Sequence, residues 1–422
     1  MIRNLLPMAA LFLSTGFLMA GGGMQNILLP VRGQIDGFSS SQIGLLGAGW
    51  AVGFTLGCII VPRLVRRVGH VRCFSVLASL LATVMLLYGL IVDAGFWIFF
   101  RAIAGLCFAG SYMIIESWLN ERITNENRGA VFSTYMVISQ LAMLGGQYLL
   151  VTADPEKETL FMFGAILFAL AVLPTALSKA QSPAPLTQVS LDLTGLYTNS
   201  PAAAVGAVIC GCITGTWTSF APVFGAETGM SLANIANLVS FAMIGSILFQ
   251  FPIGRLSDFM DRRYVMIGAA LCGASLGFIA SQITVNGANP GIAYYALITA
   301  LGGFIYPLYA VVVAHANDYA DNEDFVKTSS SLLILYGVGT MIGPMVTGSV
   351  MESYGVNSLF NVIGAAHLCL AIYVGYRVMV QPRPDDMETL DFQAGPIAKP
   401  QTPETYALDP RSDSEAYTAE NE

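Results

Sequence analysis

Two ionisable side chains in one apolar run, Arg101 and Glu116, are the first candidates for chemistry. They stand in RAIAGLCFAGSYMIIESWLNER, where the intervening residues are almost all apolar or small. An ionisable group in such a run is costly to keep and marks a functional site by default. At helical spacing Arg101, Gly105 and Tyr112 share one face to within about 20°, and Glu116 lies about 22 Å farther along the axis. The two charges therefore cannot pair with each other. Arg101 is expected to pair a charge or orient a solute, and Glu116 to be a proton-linked carboxylate. At the C-terminal end of its helix the dipole disfavours an anion, so a purely structural glutamate would be better placed elsewhere. The plainer alternative is a carboxylate hydrated at the interface beside Trp118.

The elements that must position these groups follow from composition. Only 11% of the 422 residues are charged and 55% are hydrophobic, with a mean hydropathy of +0.65. A soluble domain carries about 25% charged residues, so the solvent for most of this chain is lipid. Runs of about 20 apolar residues predict twelve spanning helices, at 5–30, 41–61, 74–92, 95–118, 130–152, 159–178, 201–222, 233–252, 264–284, 291–314, 328–350 and 357–378. The first run has the outline of a signal peptide, but it continues through MQNILLPV and is expected to remain a span. With the N-terminus inside, sixteen of the nineteen Lys and Arg residues fall in inner segments, and only Arg32 and Lys157 fall in outer loops. That bias places both termini in the cytoplasm. From Asp385 onward ten acidic residues and four prolines read as a disordered, solvated tail.

The chain repeats itself. PVRGQIDGFSSSQIG at 30–44 and PVFGAETGMSLANIA at 222–236 match at an offset of 192 residues. Leu46, Gly53, Leu56, Arg63 and Leu64 then meet Leu238, Gly245, Leu248, Arg255 and Leu256. Asn120, Asn125 and Glu126 meet Asn317, Asn322 and Glu323 at an offset of 197. Each repeat covers six spans, and an even number makes the halves parallel about an axis along the membrane normal. Transporters built this way rock two bundles around a site near the midplane. The expected fold is an all-α membrane protein with twelve transmembrane helices in two parallel six-helix bundles. The expected divisions are a bundle at 1–178, a cytoplasmic linker at 179–200, a bundle at 201–380 and the tail at 381–422. Pro30 and Pro222 are expected to end their helices, with Ser39 to Ser41 and Ser231 capping the next ones.

The residues that carry this pattern resemble the major facilitator superfamily over about residues 1–380, and in particular a bacterial branch of permeases without an assigned substrate. The family's loop signature between spans two and three has the form G-x-L-A/S-D-R-x-G-R-K/R. The second-half copy, GRLSDFMDRR, keeps Gly254, Leu256, Asp258, Arg262 and Arg263. The first-half copy keeps Arg67, Gly69 and Arg72 beside Arg63, with Pro62 for the first glycine and Arg66 for the acid. By resemblance these loops form a cytoplasmic gate, and the plain alternative for the first copy is a positive-inside anchor. Arg101 and Gly105 resemble the family's R-x-x-x-G motif, with Ala104 where glutamine is usual. Gly339, Gly343 and Pro344 form a Gly-x-x-x-Gly-Pro pattern whose physical role is close packing and a bend.

The resemblance implies that spans one, four, seven and ten line the cavity. Their polar candidates are Ser14, Gln25 and Asn26, then Trp217 and Thr218, then a stripe of Tyr295, Gly302, Tyr306 and Tyr309 that Pro307 is expected to bend. Neutral hydrogen-bonding and aromatic groups suit an organic molecule with apolar surface, although each alone is more often packing. Six of the seven cysteines lie in spans, and His70 (in a loop), His315 and His367 form no catalytic or metal constellation, so neither an enzyme nor a cofactor is expected. No G-x-x-x-x-G-K-[ST] motif appears. The leading reading is a proton-coupled secondary transporter of a small organic solute, with protons, solute and bilayer as partners, no nucleic acid, and a monomeric state. An uncoupled facilitator of the same fold, or a transporter-like sensor, are the alternatives.

Overall fold

The computed structural model of the chain describes residues 8–123, 128–177, 186, 191–285, 290–320, 325–380, 392 and 401–407. Twelve long helices follow in the expected order: α1 (Ala9–Ile35), α2 (Ser40–Val68), α3 (His70–Leu90), α4 (Ala94–Asn120), α5 (Arg128–Tyr148), α6 (Thr159–Ala176), α7 (Pro201–Glu227), α8 (Leu232–Phe259), α9 (Arg262–Gln282), α10 (Ile292–Asp318), α11 (Phe325–Tyr354) and α12 (Ser358–Val380). Eleven are long and apolar enough to cross a bilayer. The other, α1, has the length at 27 residues, but Gly21 to Gly23, Gln25 and Asn26 dilute its apolar run. The described residues contain no strand, so this is an all-α membrane protein.

The repeated phrase behaves differently from its sequence in one respect. α1 and α7 do not end at Pro30 and Pro222 but run through them to Ile35 and Glu227. Glycine stops them instead. Gly37 and Gly229 take φ of 81° and 75°, a left-handed conformation that side chains resist. The following N–H groups then reach back, Phe38 to the Gly33 carbonyl at 2.8 Å and Met230 to Gly225 at 2.9 Å. Both are the six-to-one bonds of a Schellman stop. The next helices start as expected. The Ser39 hydroxyl accepts from the Gln42 N–H at 3.2 Å while the Gln42 side chain accepts from the Ser39 N–H at 2.9 Å, and Ser231 accepts from the Asn234 N–H at 3.2 Å.

Contacts group the chain into two compact units: Met1–Arg32, Gly49–Ser190 and Ala398–Glu422 in the first, Gly33–Ala48 and Leu191–Ile397 in the second. The division near residue 190 falls inside the linker expected at 179–200, of which 186 and 191–200 are described. There Asp192 caps a short helix, Leu193–Asn199, by accepting from the Gly195 N–H at 2.7 Å. The sequence did not foresee that residues 33–48 would group with the second unit. Gly44 and Gly47 pack on Pro344, Gly348 on Ser40, and the Ser41 hydroxyl donates to Glu352. The tail also departs from expectation where it is described. Phe392 is half-buried, and residues 401–405 are buried rather than solvated.

Within each unit, helices meet where glycine lets backbones touch. In the first unit a methyl on Gly53 (α2) would overlap the Ala102 carbonyl of α4, and one on Gly105 (α4) would overlap that of Trp50 (α2). In the second unit Gly245 meets Thr299 and Gly302 meets Ala242, the same pairs shifted by the two repeat offsets. The crossing of α1 with α5 repeats the same way. Gly23 faces Met143 and Gly146 faces Ala20, as Gly215 faces Thr340 and Gly343 faces Cys212 between α7 and α11. Gly339 and Gly343 therefore serve close packing, as their spacing suggests. Gly53→Ala is expected to lower the thermal unfolding midpoint, by a cost of about 1–3 kcal/mol for overpacking. Gly268→Ala, with open space around it, should leave the midpoint unchanged or raise it.

Candidate functional site

In the first unit, α4 holds two buried charges, Arg101 and Glu116. Asp93 starts this helix by accepting from the Phe96 N–H at 3.0 Å. Gly105 and Gly110 then let it approach α2 and α3, so that most of its length is buried. Arg101 lies over the Trp50 ring, its guanidinium carbon 6.0 Å from the centroid, and donates from one terminal nitrogen to the Gln25 Oε1 at 3.2 Å. The Gln25 amide donates in turn to the Met85 sulfur at 3.8 Å. No carboxylate lies within salt-bridge distance of Arg101 among the described residues. The Trp50 indole N–H and the Tyr88 hydroxyl are buried without a hydrogen-bond partner. The site is thus rich in donors and short of acceptors.

Glu116 occupies the last turn of the same helix and is completely buried. The Tyr135 hydroxyl of α5 donates to its Oε1 at 3.0 Å, and the Thr405 hydroxyl donates to the same oxygen at 2.9 Å. The Thr402 hydroxyl donates to Oε2. The hydrated surface carboxylate weighed above is therefore not what the structure shows. Tyr112 packs with Phe54 and Phe108, its ring centre 6.2 Å and 5.7 Å from theirs. Asn26 is half-buried beside Gln25. Sequence reasoning identified Arg101, Glu116 and Gln25 but missed their partners Trp50, Tyr135, Thr402 and Thr405.

In the second unit the candidates do not gather. Trp217 is fully buried with its ring centre 6.4 Å from Phe360 of α12, whereas Thr218 is exposed and bonded to its own helix at Thr214. The tyrosine stripe is broken by its proline. α10 is interrupted at Tyr306, which ends Ile292–Ile305 and precedes Pro307–Asp318. Before the break Tyr295 meets Phe241 and Gly302 meets Ala242, both on α8. After it Tyr309 lies 4.3 Å from Tyr336 of α11, ring centre to ring centre. His367 is buried in packing, its Nδ1 at 2.8 Å from the Ile363 carbonyl oxygen. His70, expected in a loop, is the first residue of α3 and lies against Trp118.

Family comparison decides what these two six-helix repeats belong to. The Major Facilitator Superfamily model matches residues 11–236 and again 202–402. The chain belongs to the major facilitator superfamily. A relative in Escherichia fergusonii, the uncharacterized MFS-type transporter YcaD, is 25% identical over 342 residues, 81% of this chain and 87% of its own length. The nucleoside transporter NupG superposes with a TM-score of 0.70 at 13% identity, over 89% of this chain and 99% of that one. The E. coli fucose:proton symporter FucP does so with a TM-score of 0.53 at 16% identity, over 89% and 99%.

The superfamily's loop signature takes two forms here. In the first half Arg63, Arg66, Arg67 and Arg72 are exposed around Gly69, whose φ of 84° fits the turn into α3. In the second half the charges are drawn into a network. Arg262 donates to Asp318 at the end of α10 at 2.7 Å and to the Ser257 hydroxyl at 3.1 Å, and it lies 3.7 Å from Asp258. Arg263 grips Asp261 with contacts of 2.7–3.1 Å. Asp258 accepts from the Phe392 N–H at 2.8 Å, and the Phe392 ring fills the space over Gly254. Removing one partner of the buried Arg262–Asp318 pair strands the other charge. Asp318→Asn is therefore expected to cost about 3–5 kcal/mol in unfolding free energy, while Arg66→Gln should change it by less than about 0.5 kcal/mol.

Burial alone would raise the pKa of Asp261, but the hydrogen bonds and charge of Arg263 outweigh it and hold the carboxyl below its ordinary value. A depressed folded-state pKa stabilises the fold above the unfolded value and loses that contribution as pH falls through the folded one. The stability gap between the native protein and Asp261→Asn should therefore be full at neutral pH and close through the acid range below the ordinary carboxylate pKa. Unfolding midpoints measured across that range check it.

Proposed function

We propose that this superfamily member is a secondary transporter of a small organic solute carrying an acidic group, working by alternating access and linked to protons through Glu116. It would sit in a bacterial inner membrane as a monomer, with both termini cytoplasmic as the Lys and Arg distribution supports. The observation that carries the reading is the state of Arg101. It is a buried guanidinium whose one hydrogen-bonded partner among the described residues is a neutral amide. Burying a cation without a counter-charge is costly, and a solute carboxylate or similar anion would supply that charge and use its remaining donors. The ring of Trp50 beside it favours a flat apolar body on the solute. Gln25 accepts from the guanidinium and orients it, and Asn26 beside it is half-buried. Glu116, buried on the same helix among hydroxyl groups, is suited to take up and release a proton. Arg262, Arg263, Asp258 and Gly254, with the exposed Arg63, Arg67, Gly69 and Arg72, serve as the cytoplasmic gate of this scheme, in which the second copy is the tighter. A proton symporter sharing the fold supports the coupling.

Small aromatic carboxylates and their uncharged amides, benzoate against benzamide first, separate the readings in a thermal-stability screen. At 100 times its Kd a true ligand stabilises by about 2.7 kcal/mol. Carboxylates should stabilise the native protein and not Arg101→Gln. Flux of the best solute into proteoliposomes should then rise with a pH gradient and lose that dependence in Glu116→Gln. Amides that stabilise as well as the acids would overturn the anionic solute. Flux indifferent to the gradient and to Glu116→Gln would leave a facilitator.

A further inference from the structure

Within a tail whose composition is acidic and proline-rich, residues 401–405 are buried, with Thr402 at 0% and Thr405 at 3% exposure. Composition alone gives no reason for that. The local sequence does. In T-P-E-T, Thr402 precedes a short helix (Pro403–Ala407) with proline at its first position, where its missing N–H is not needed. The Thr405 hydroxyl accepts from the Thr402 N–H at 2.8 Å, and the Thr402 hydroxyl accepts from the Thr405 N–H at 3.3 Å. This is the reciprocal arrangement of a capping box. It fixes both hydroxyl oxygens on one side of the turn and leaves each O–H free to donate outward. Both donate to Glu116, Thr402 to Oε2 and Thr405 to Oε1. With Tyr135 also on Oε1, both carboxylate oxygens are engaged.

We propose that the end of α4 is a docking site for the chain's own C-terminal segment, with Thr402 and Thr405 as its two-pronged ligand for Glu116, and that the seated segment closes this carboxylate to outside reagents. The site recognises a pair of hydroxyl donors held one helical turn apart, a pattern that T-P-E-T supplies within the first unit itself. The contact is specific. A threonine-to-valine change keeps shape and volume and removes the hydroxyl, with both its donation to Glu116 and its capping acceptor. Docking also gives the buried hydroxyls of Thr402 and Thr405 partners in place of water. Shielding of Glu116 follows from geometry and stands whether or not Glu116 carries protons. If transport is proton-linked as proposed above, a seated tail holds the transporter off, and its release turns transport on.

The test uses dicyclohexylcarbodiimide, which modifies carboxyl groups in apolar surroundings, with the Glu116 adduct quantified by mass spectrometry of the purified full-length protein. Labelling of Glu116 should be at least about tenfold faster after deletion of residues 400–422, the factor that a charge-assisted hydrogen bond represents. The Thr402→Val/Thr405→Val double variant should behave like the deletion, with an unchanged thermal midpoint showing that the helices are intact. A synthetic peptide with the sequence of residues 396–410 should slow labelling of the deleted protein again, and the same peptide with both threonines changed to valine should not. Equal labelling rates in the native, deleted and double-variant proteins would overturn the proposal. So would equal protection by the two peptides. Because no solute or gradient enters the measurement, a failure of the transport reading leaves this result unaffected.

Discussion

Helices in lipid gain little by burying apolar side chains against one another, because the acyl chains they displace are equally apolar. Close backbone approach must therefore hold this chain together, and it is found at glycine. Gly53 and Gly105 let α2 and α4 touch, Gly23 and Gly146 do so for α1 and α5, and each pair recurs in the second half as Gly245 with Gly302 and Gly215 with Gly343. The carbonyls they meet recur as well. The repeat is thus a repeat of contacts, and the matching letters in the sequence are its trace. The offset rises from 192 to 197 where the connection after α9 is longer than the one after α3. The extra residues fall between α9 and α10, so the crossings on either side keep their register.

The chemistry is not duplicated with the scaffold. At the positions corresponding to Arg101, Glu116 and Tyr135 the second half has Ile298, Val313 and Leu332, all buried. Opposite Gln25 stands Trp217, packed on Phe360. A buried ion costs several kcal/mol even after relaxation, which gives a physical reason to keep such groups in one half and fill the other with apolar side chains. The second half instead places its charges at the loop between α8 and α9, where Arg262 joins that loop to the end of α10 through Asp318.

What could be read from the sequence follows the range of the force involved. Helix positions, the serine caps and the close packing at Gly339 and Gly343 depend on residue type and a fixed period, and they stand where expected. The prolines misled, because Pro30 and Pro222 can remain inside helices when neighbouring helices satisfy the freed carbonyl, and Gly37 and Gly229 are the true stops. The tyrosine stripe assumed an unbroken α10. Pro307 was expected to bend it, and the bend separates Tyr309 from Tyr295. The hydroxyls on Glu116 were invisible for a different reason. Thr402 lies 286 residues away along the chain, and no local period points from a threonine in an acidic tail to a glutamate in the fourth helix.

Two buried acid side chains among the described residues, Asp318 and Glu116, are held in ways that suit opposite tasks. Asp318 faces Arg262, a donor that cannot accept and cannot lose its proton in a protein. With the Ser257 hydroxyl and Asp258 also on Arg262, the pair acts as a fixed joint. Glu116 sits at the negative end of its helix dipole, which disfavours the anion, and Tyr135, Thr402 and Thr405 offset this with hydroxyl groups. A hydroxyl can turn from donor to acceptor. A protonated Glu116 would therefore still find partners in the same three side chains, and neither state leaves a buried group alone. The proton link proposed for Glu116 draws on this tolerance, which an arginine partner would remove.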